Sequence, residues 1–193
     1  MIKTRNQLRI IGGQWRGRKL PFPEVPGLRP TPDRVRETLF NWLAPVIAGA
    51  RCLDLFAGSG ALGLEALSRE AAKVVLIDNQ AIVVKQLRAN LTLLQTEAAE
   101  VIKAEALEYL QGPAIPFEVV FLDPPYQTDV LSKCIERLEQ NGWLTAHAWI
   151  YLEAPAKAGL PSMPKNWHVY RSKTAGEVGF HLVERVASQS QSR

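Results

Sequence analysis

Cysteine is scarce in this chain, two among 193 residues, and acidic side chains are missing from its first twenty positions. Cys52 and Cys134 stand far apart within apolar or helical patterns, so they read as buried thiols rather than a disulfide or a metal pair. No apolar run approaches the roughly 20 residues that cross a bilayer, and the longer ones are broken by charge. The opening Met1-Ile2-Lys3-Thr4-Arg5 is basic without an apolar segment after it, unlike a secretory signal. These absences lead to the expectation of a cytoplasmic protein that holds no metal and keeps clear of membranes, and one compact domain makes a monomer the default. With 47% apolar and 22% charged residues, there is material for one α/β domain and a modest extension, not for two full domains.

The net charge of +4 is unevenly spread. Residues 1–51 hold ten Lys and Arg against three acids, while residues 52–193 hold thirteen against sixteen. A cationic amino-terminal part suits a polyanion. Its apolar residues Leu8, Ile10, Ile11, Trp15 and Leu20 argue for a folded basic surface over a disordered tail. Arg9 to Leu20 reads as a short hairpin turned by glycines. The proline-rich stretch 21–30 reads as a connecting loop. Thr31-Pro32 then opens a helix, with the threonine hydroxyl as N-cap and proline at the first helical position.

From Arg51 onward strands and helices alternate. Strand candidates are Cys52–Phe56, Val74–Asp78, Glu100–Ala104, Phe117–Asp123 and Trp149–Glu153. Helices fall near Ala61–Arg69, Ala81–Leu94, Ala106–Leu110 and Asp129–Gln140. The alternation predicts an α/β fold whose mostly parallel sheet is covered by helices on both faces. Trp167–Lys173 and Gly179–Glu184, joined at Ala175-Gly176, predict a terminal antiparallel hairpin that brings the sheet to seven strands. The expected organisation is a basic extension over 1–30, a main domain over 31–187 and a frayed tail over 188–193.

Gly58-Ser59-Gly60-Ala61-Leu62-Gly63 joins the first strand of that sheet to its first helix. Its glycines let backbone approach a ligand, and the helix start offers free N–H groups. Taken alone the run fits a dinucleotide fingerprint, with Asp78 placed for ribose hydroxyls, so a nicotinamide oxidoreductase is a competing reading. Asp54, at the strand end before the glycines, disfavours a pyrophosphate and suits a ligand with a cationic amino group, such as S-adenosylmethionine. No separate domain for a hydride acceptor is visible either.

Asp123-Pro124-Pro125-Tyr126 follows the apolar run Phe117–Leu122. At a strand's carboxyl end, where open α/β sheets bind ligands, a carboxylate and the Pro124 carbonyl can accept both hydrogens of a planar amine. Tyr126 can stack on the ring that carries it, a contact of about 1–3 kcal/mol in base–aromatic pairs. Such an amine is a weak nucleophile, so holding it in line with an electrophile is most of the catalysis.

The Asp54–Gly60 run resembles that of the Rossmann-like S-adenosylmethionine-dependent methyltransferases. That resemblance implies S-adenosylmethionine as cofactor and S-adenosylhomocysteine as product. It places Asp54, Phe56, Ala57, Gly58, Ser59 and Gly60 at the methionine end and Asp78 at the ribose. Asn79, Glu105 and Ala106 fall beside the adenine; many relatives have Asp where Glu105 stands. The blocks Ile11–Leu20 and Arg29–Leu43, with the tetrapeptide, are similar to the RsmD family, over about residues 8–185. This similarity implies methylation of guanine N2 in 16S ribosomal RNA of the assembled small subunit. Arg9, Trp15, Arg16, Arg18, Lys19, Arg29, Arg34 and Arg36 are then the candidate RNA contacts, chiefly to phosphates. The tetrapeptide type also serves DNA adenine-N6 and protein-glutamine methyltransferases. The former usually carries a recognition insertion, which is not seen after Tyr126, and the latter leaves the basic arm unexplained. A non-catalytic RNA-binding module would need neither the glycine loop nor the tetrapeptide.

Overall fold

The computed structural model describes residues 6–125 and 129–187. Strands β1 (Gln7–Arg9) and β2 (Lys19–Pro21) form a small antiparallel sheet, and helix α1 spans Asp33–Leu43. The main body follows as β3 (Arg51–Asp54), α2 (Ala61–Ser68), β4 (Lys73–Asp78), α3 (Ala81–Leu94) and β5 (Ala99–Lys103). After these come α4 (Ala106–Tyr109), β6 (Phe117–Leu122), α5 (Val130–Gln140), β7 (Leu144–Pro155), β8 (Trp167–Ala175) and β9 (Val178–Val186). The seven-stranded sheet runs β5-β4-β3-β6-β7-β9-β8. Its first five strands are parallel, and β9 is antiparallel to both β7 and β8. This is the α/β architecture with a terminal hairpin that the strand–helix rhythm predicts.

The chain winds outward from β3 in one direction to β4 and β5, and from β6 in the other to β7. The switch point between β3 and β6 opens a crevice at the carboxyl ends of those strands, where ligands bind in this kind of sheet. Near-continuous apolar runs in the central strands serve two buried faces. Cys52, Leu76, Phe121 and Tyr151 face a core shared with α1, α2 and α3, whereas Leu53, Ile77, Val120 and Leu122 face α4 and α5. No helix among the described residues is long and apolar enough to cross a membrane.

Every residue of α2 is buried, including Glu65 and Ser68. The amino-terminal arm covers this helix. Leu8, Ile10 and Leu20 join the same core as Leu39 and Phe40 of α1 and Leu64 of α2. At the arm's turn, Gln14 N–H bonds Ser68 O at 2.8 Å and Ser68 Oγ bonds Gly12 O at 2.6 Å. Gly13 is required here, since its φ is +76° and a Cβ would lie 1.8 Å from Ser68 O.

Glu65 is the polar centre of this junction. Fully buried, it accepts from Ile11 N–H at 2.9 Å, Gly12 N–H at 2.8 Å and Arg69 Nε at 2.8 Å. Arg36 Nη1 lies 3.5 Å from it. Arg36, expected among the RNA contacts, is therefore corrected to a structural cation. It is 1% exposed and donates to Thr31 O, Arg9 O and Asp33 Oδ1. The Thr31 cap is corrected too: Pro32 is the N-cap, with no side-chain cap bond. The hairpin strands are also shorter and further apart than predicted, because residues 10–18 fold into turns against α2.

Removing one member of a buried charge pair leaves the other uncompensated and costs about 3–5 kcal/mol. Glu65→Ala is expected to lower stability by about that amount in a denaturant melt, and to speed hydrogen exchange at the Ile11 and Gly12 amides. Unchanged exchange at those two amides would show that Glu65 does not hold the arm.

Candidate active site

Four neighbouring strands carry an acid at their carboxyl ends. Across the sheet order β4-β3-β6-β7 these are Asp78, Asp54, Asp123 (just past β6) and Glu153. Strands in a sheet lie about 4.8 Å apart, so the acids form one row along the crevice. Such crowding is unfavourable unless the carboxylates are hydrogen-bonded or hold protons.

Asp78 accepts from Gly58 N–H at 3.0 Å and Gln80 N–H at 2.9 Å, and remains half-exposed. It thereby pins the glycine loop to β4, reinforced by Ala57 N–H to Ile77 O at 2.9 Å. Gly58 and Gly60 take left-handed φ values of +51° and +82°, which a side chain would resist. Ala57 and Ser59 are buried beneath the turn, while Phe56 is half-exposed. From outside, Leu28 of the connecting loop leans over it: a Cβ on Gly58 would sit 2.8 Å from Leu28 Cδ1.

Asp54 was expected to face a ligand's amino group. Instead it lies under the loop, 3% exposed, accepting from Gly63 N–H at 3.1 Å and from the Phe56 backbone. Burial pushes its carboxyl up to about 7, against the lowering effect of those two bonds. On the other side of Asp78, Asn79 Nδ2 donates to Glu105 Oε1 at 2.7 Å, both side chains exposed. Ala106 opens α4 directly behind, buried.

Asp123 is half-buried, Pro124 buried and Pro125 exposed. Tyr126 lies outside the described residues. Burial raises the Asp123 carboxyl well above the usual carboxylate range, as do the charge of Glu153, a hydrogen bond with it, and the charge of Asp54. Two carboxyl groups can share a hydrogen bond when one of them keeps a proton. Glu153, 6% exposed, also accepts from Tyr151 Oη–H at 2.6 Å. Glu153 was absent from the sequence-derived site. The signal was present, since it closes an apolar strand run as Asp54, Asp78 and Asp123 do. What was missing was the pairing of β6 with β7, in which Leu122 stands opposite Leu152.

The basic candidates divide by environment. Arg16, Lys19, Arg29 and Arg34 are exposed. Arg9 is paired with Asp33 at 2.7 Å, and Arg18 donates to Leu93 O at 2.9 Å, so both are exposed but tethered. Trp15 is half-buried against the core, as a hydrophobic anchor of the arm would be.

Comparison with known proteins agrees with this geometry. The family described as "Conserved hypothetical protein 95" matches residues 8–184. "Ribosomal RNA small subunit methyltransferase D" of Escherichia coli (strain K12) is 55% identical, covering 94% of this chain and 91% of that protein. The Haemophilus influenzae protein of the same name is 47% identical, covering 94% and 95%. The solved Escherichia coli chain yhhF is 54% identical with a TM-score of 0.90, covering 95% of this chain and 100% of its own. A match that runs from the first strand of the arm almost to the end of the last strand takes in the docked arm, the glycine loop and the acid row together: the chain belongs to the conserved hypothetical protein 95 family, the RsmD family.

Proposed function

We propose that this protein transfers a methyl group from S-adenosylmethionine to the N2 amine of a guanine in 16S ribosomal RNA, within the assembled small subunit. The observation that carries the reading is the placement of Asp123 and the Gly58–Gly60 loop on adjoining strands at the switch point. The names of the similar proteins supply the class of substrate. The residues of the crevice fit the cofactor. Bound there, S-adenosylmethionine supplies a methyl group on a positively charged sulfur.

Asp78, fixed by two backbone N–H groups yet half-exposed, keeps lone pairs to accept from the ribose hydroxyls. Backbone at Phe56, Ala57, Gly58, Ser59 and Gly60 lines the methionine end, with Asp54 holding that turn from below. The Asn79–Glu105 bridge and Ala106 border the adenine. Asp123 and the Pro124 carbonyl accept the two N–H groups of the guanine amine and orient its lone pair. Methyl transfer makes that nitrogen acidic. Asp123, its carboxyl held well above the usual carboxylate range by burial and by Glu153, is the basic group placed to accept the departing proton and pass it to water. Glu153 acts through Asp123 and is a positioning residue. Residues 1–30 serve as the RNA-contacting extension of a monomeric cytoplasmic protein, with Arg16, Lys19 and Arg29 there, and Arg34 of α1, the exposed cations that reach phosphate. Tyr126 is assigned to stacking on the target base from the sequence alone.

Incubation with methyl-labelled S-adenosylmethionine and, separately, undermodified small subunits, naked 16S RNA, DNA and protein extract is expected to label N2-methylguanosine, mainly in the particle. Label in methyladenine or methylglutamine would replace the substrate assignment. Asp123→Ala is expected to abolish turnover while calorimetry still detects cofactor binding; equal loss of both would make Asp123 a structural residue.

The acid pair also sets a pH dependence. An ionised Asp123 is the better acceptor, so the rate should rise with pH as Asp123 ionises, above the usual carboxylate range. Glu153→Gln removes the neighbouring charge that raises Asp123, so the acidic limb of the kcat profile should move to lower pH. A limb that stays in place would assign it to another group.

A further inference from the structure

A groove of about 240 Å³ separates α1 from the terminal hairpin, lined by Arg34, Val35, Thr38, Lys173, Thr174, Ala175 and Phe180. Phe180, almost fully buried and stacked on Trp42 with ring centroids 5.6 Å apart, forms its floor. Arg34, Lys173 and Thr174 are exposed, and Thr38 is half-exposed. No acidic side chain lines it. Arg34 and Lys173 make no ion pair among the described residues, unlike Arg9, Arg69 and Arg185.

The register ties this groove to the acid row. Lys173 stands opposite Phe180 on β9, and Phe180 stands opposite Glu153 on β7. Directly opposed residues share a sheet face. Lys173, Phe180 and Glu153 therefore share the α1 face, at the level of Asp123. Three strand spacings of about 4.8 Å put Lys173 roughly 14 Å from Asp123 along the crevice. The register shift between Val169 and Arg171 sets Arg171 opposite Leu182, on this same face.

We propose that the groove between α1 and the terminal hairpin is a phosphate subsite for the RNA strand flanking the target base, with Arg34 and Lys173 as its cations. The proposal rests on the RNA-methylating reading above. Two cations and two hydroxyl donors, with no acid among the lining residues, match a phosphodiester, whereas a base-reading site would need paired donors and acceptors. The hairpin extends the cationic surface beyond the amino-terminal arm to the level of the acid row. Edge strands also carry lysine to deter pairing with other sheets. That role predicts self-association on its removal and no change toward RNA.

The test compares wild type with Arg34→Ala/Lys173→Ala and with Lys173→Glu, measuring binding to undermodified small subunits over a salt series, turnover on their RNA, cofactor affinity, thermal melting and sedimentation. Each lost phosphate contact should reduce the slope of log affinity against log salt by about 1. RNA affinity and 1/KM should fall about tenfold or more, as for lost charge-assisted contacts. Cofactor affinity and melting temperature should not change. Wild-type-like affinity and salt slope in both variants would overturn the subsite, as would self-association with unchanged RNA binding. Failure of the wild type itself to label the RNA would overturn the reading beneath it, an outcome distinct from variants that match an active wild type.

Discussion

One buried anion holds this molecule in its working shape. Glu65 sits inside a helix with no exposed residue and draws in two backbone N–H groups of the arm together with Arg36 and Arg69. A carboxylate taken out of water must be compensated on nearly every lone pair, and the docked arm, α1 and Arg69 at the end of α2 do so together. The same contact that neutralises Glu65 therefore fixes where the arm lies. With the arm fixed, the connecting loop brings Leu28 over Gly58, and α1 meets the terminal hairpin to make the cationic groove. The arm is thus built into the core rather than appended to it.

The crevice carries the opposite electrostatic problem. Parallel strands that end together bring Asp78, Asp54, Asp123 and Glu153 into one row. Each acid is accommodated differently. Asp78 is satisfied by backbone N–H groups and keeps contact with solvent, and Asp54 is buried with a carboxyl pushed up to about 7. Asp123 and Glu153 share a hydrogen bond. The differences follow from depth and partners, not residue type, and give one row of similar groups separate environments. The exposed cations of the groove, Arg34 and Lys173, lie beside this row on the α1 face.

Much of this was legible in the chain. Apolar runs ending in acids, with glycines after the first, identified the parallel sheet, its loop and the Asp123 corner, because buried strands and tight turns constrain residue type locally. Environment was not legible. Arg34 and Arg36 are two residues apart on one helix, yet one is exposed and the other is 1% exposed. Helical periodicity separates their directions without saying which direction holds a buried Glu65, a residue 29 positions later.

The sequence by itself determined the α/β class, the glycine loop, the Asp123-Pro124 corner at a strand's carboxyl end and a basic amino-terminal part, since each depends on short-range pattern. Tertiary structure decided which charges are free to act. It turned Asp54 inward, converted Arg36 into a core cation, added Glu153 to the acid row and brought Lys173 to face Arg34. The reason is that strand order and register, set by long-range packing, determine which charges become neighbours and how much water each retains.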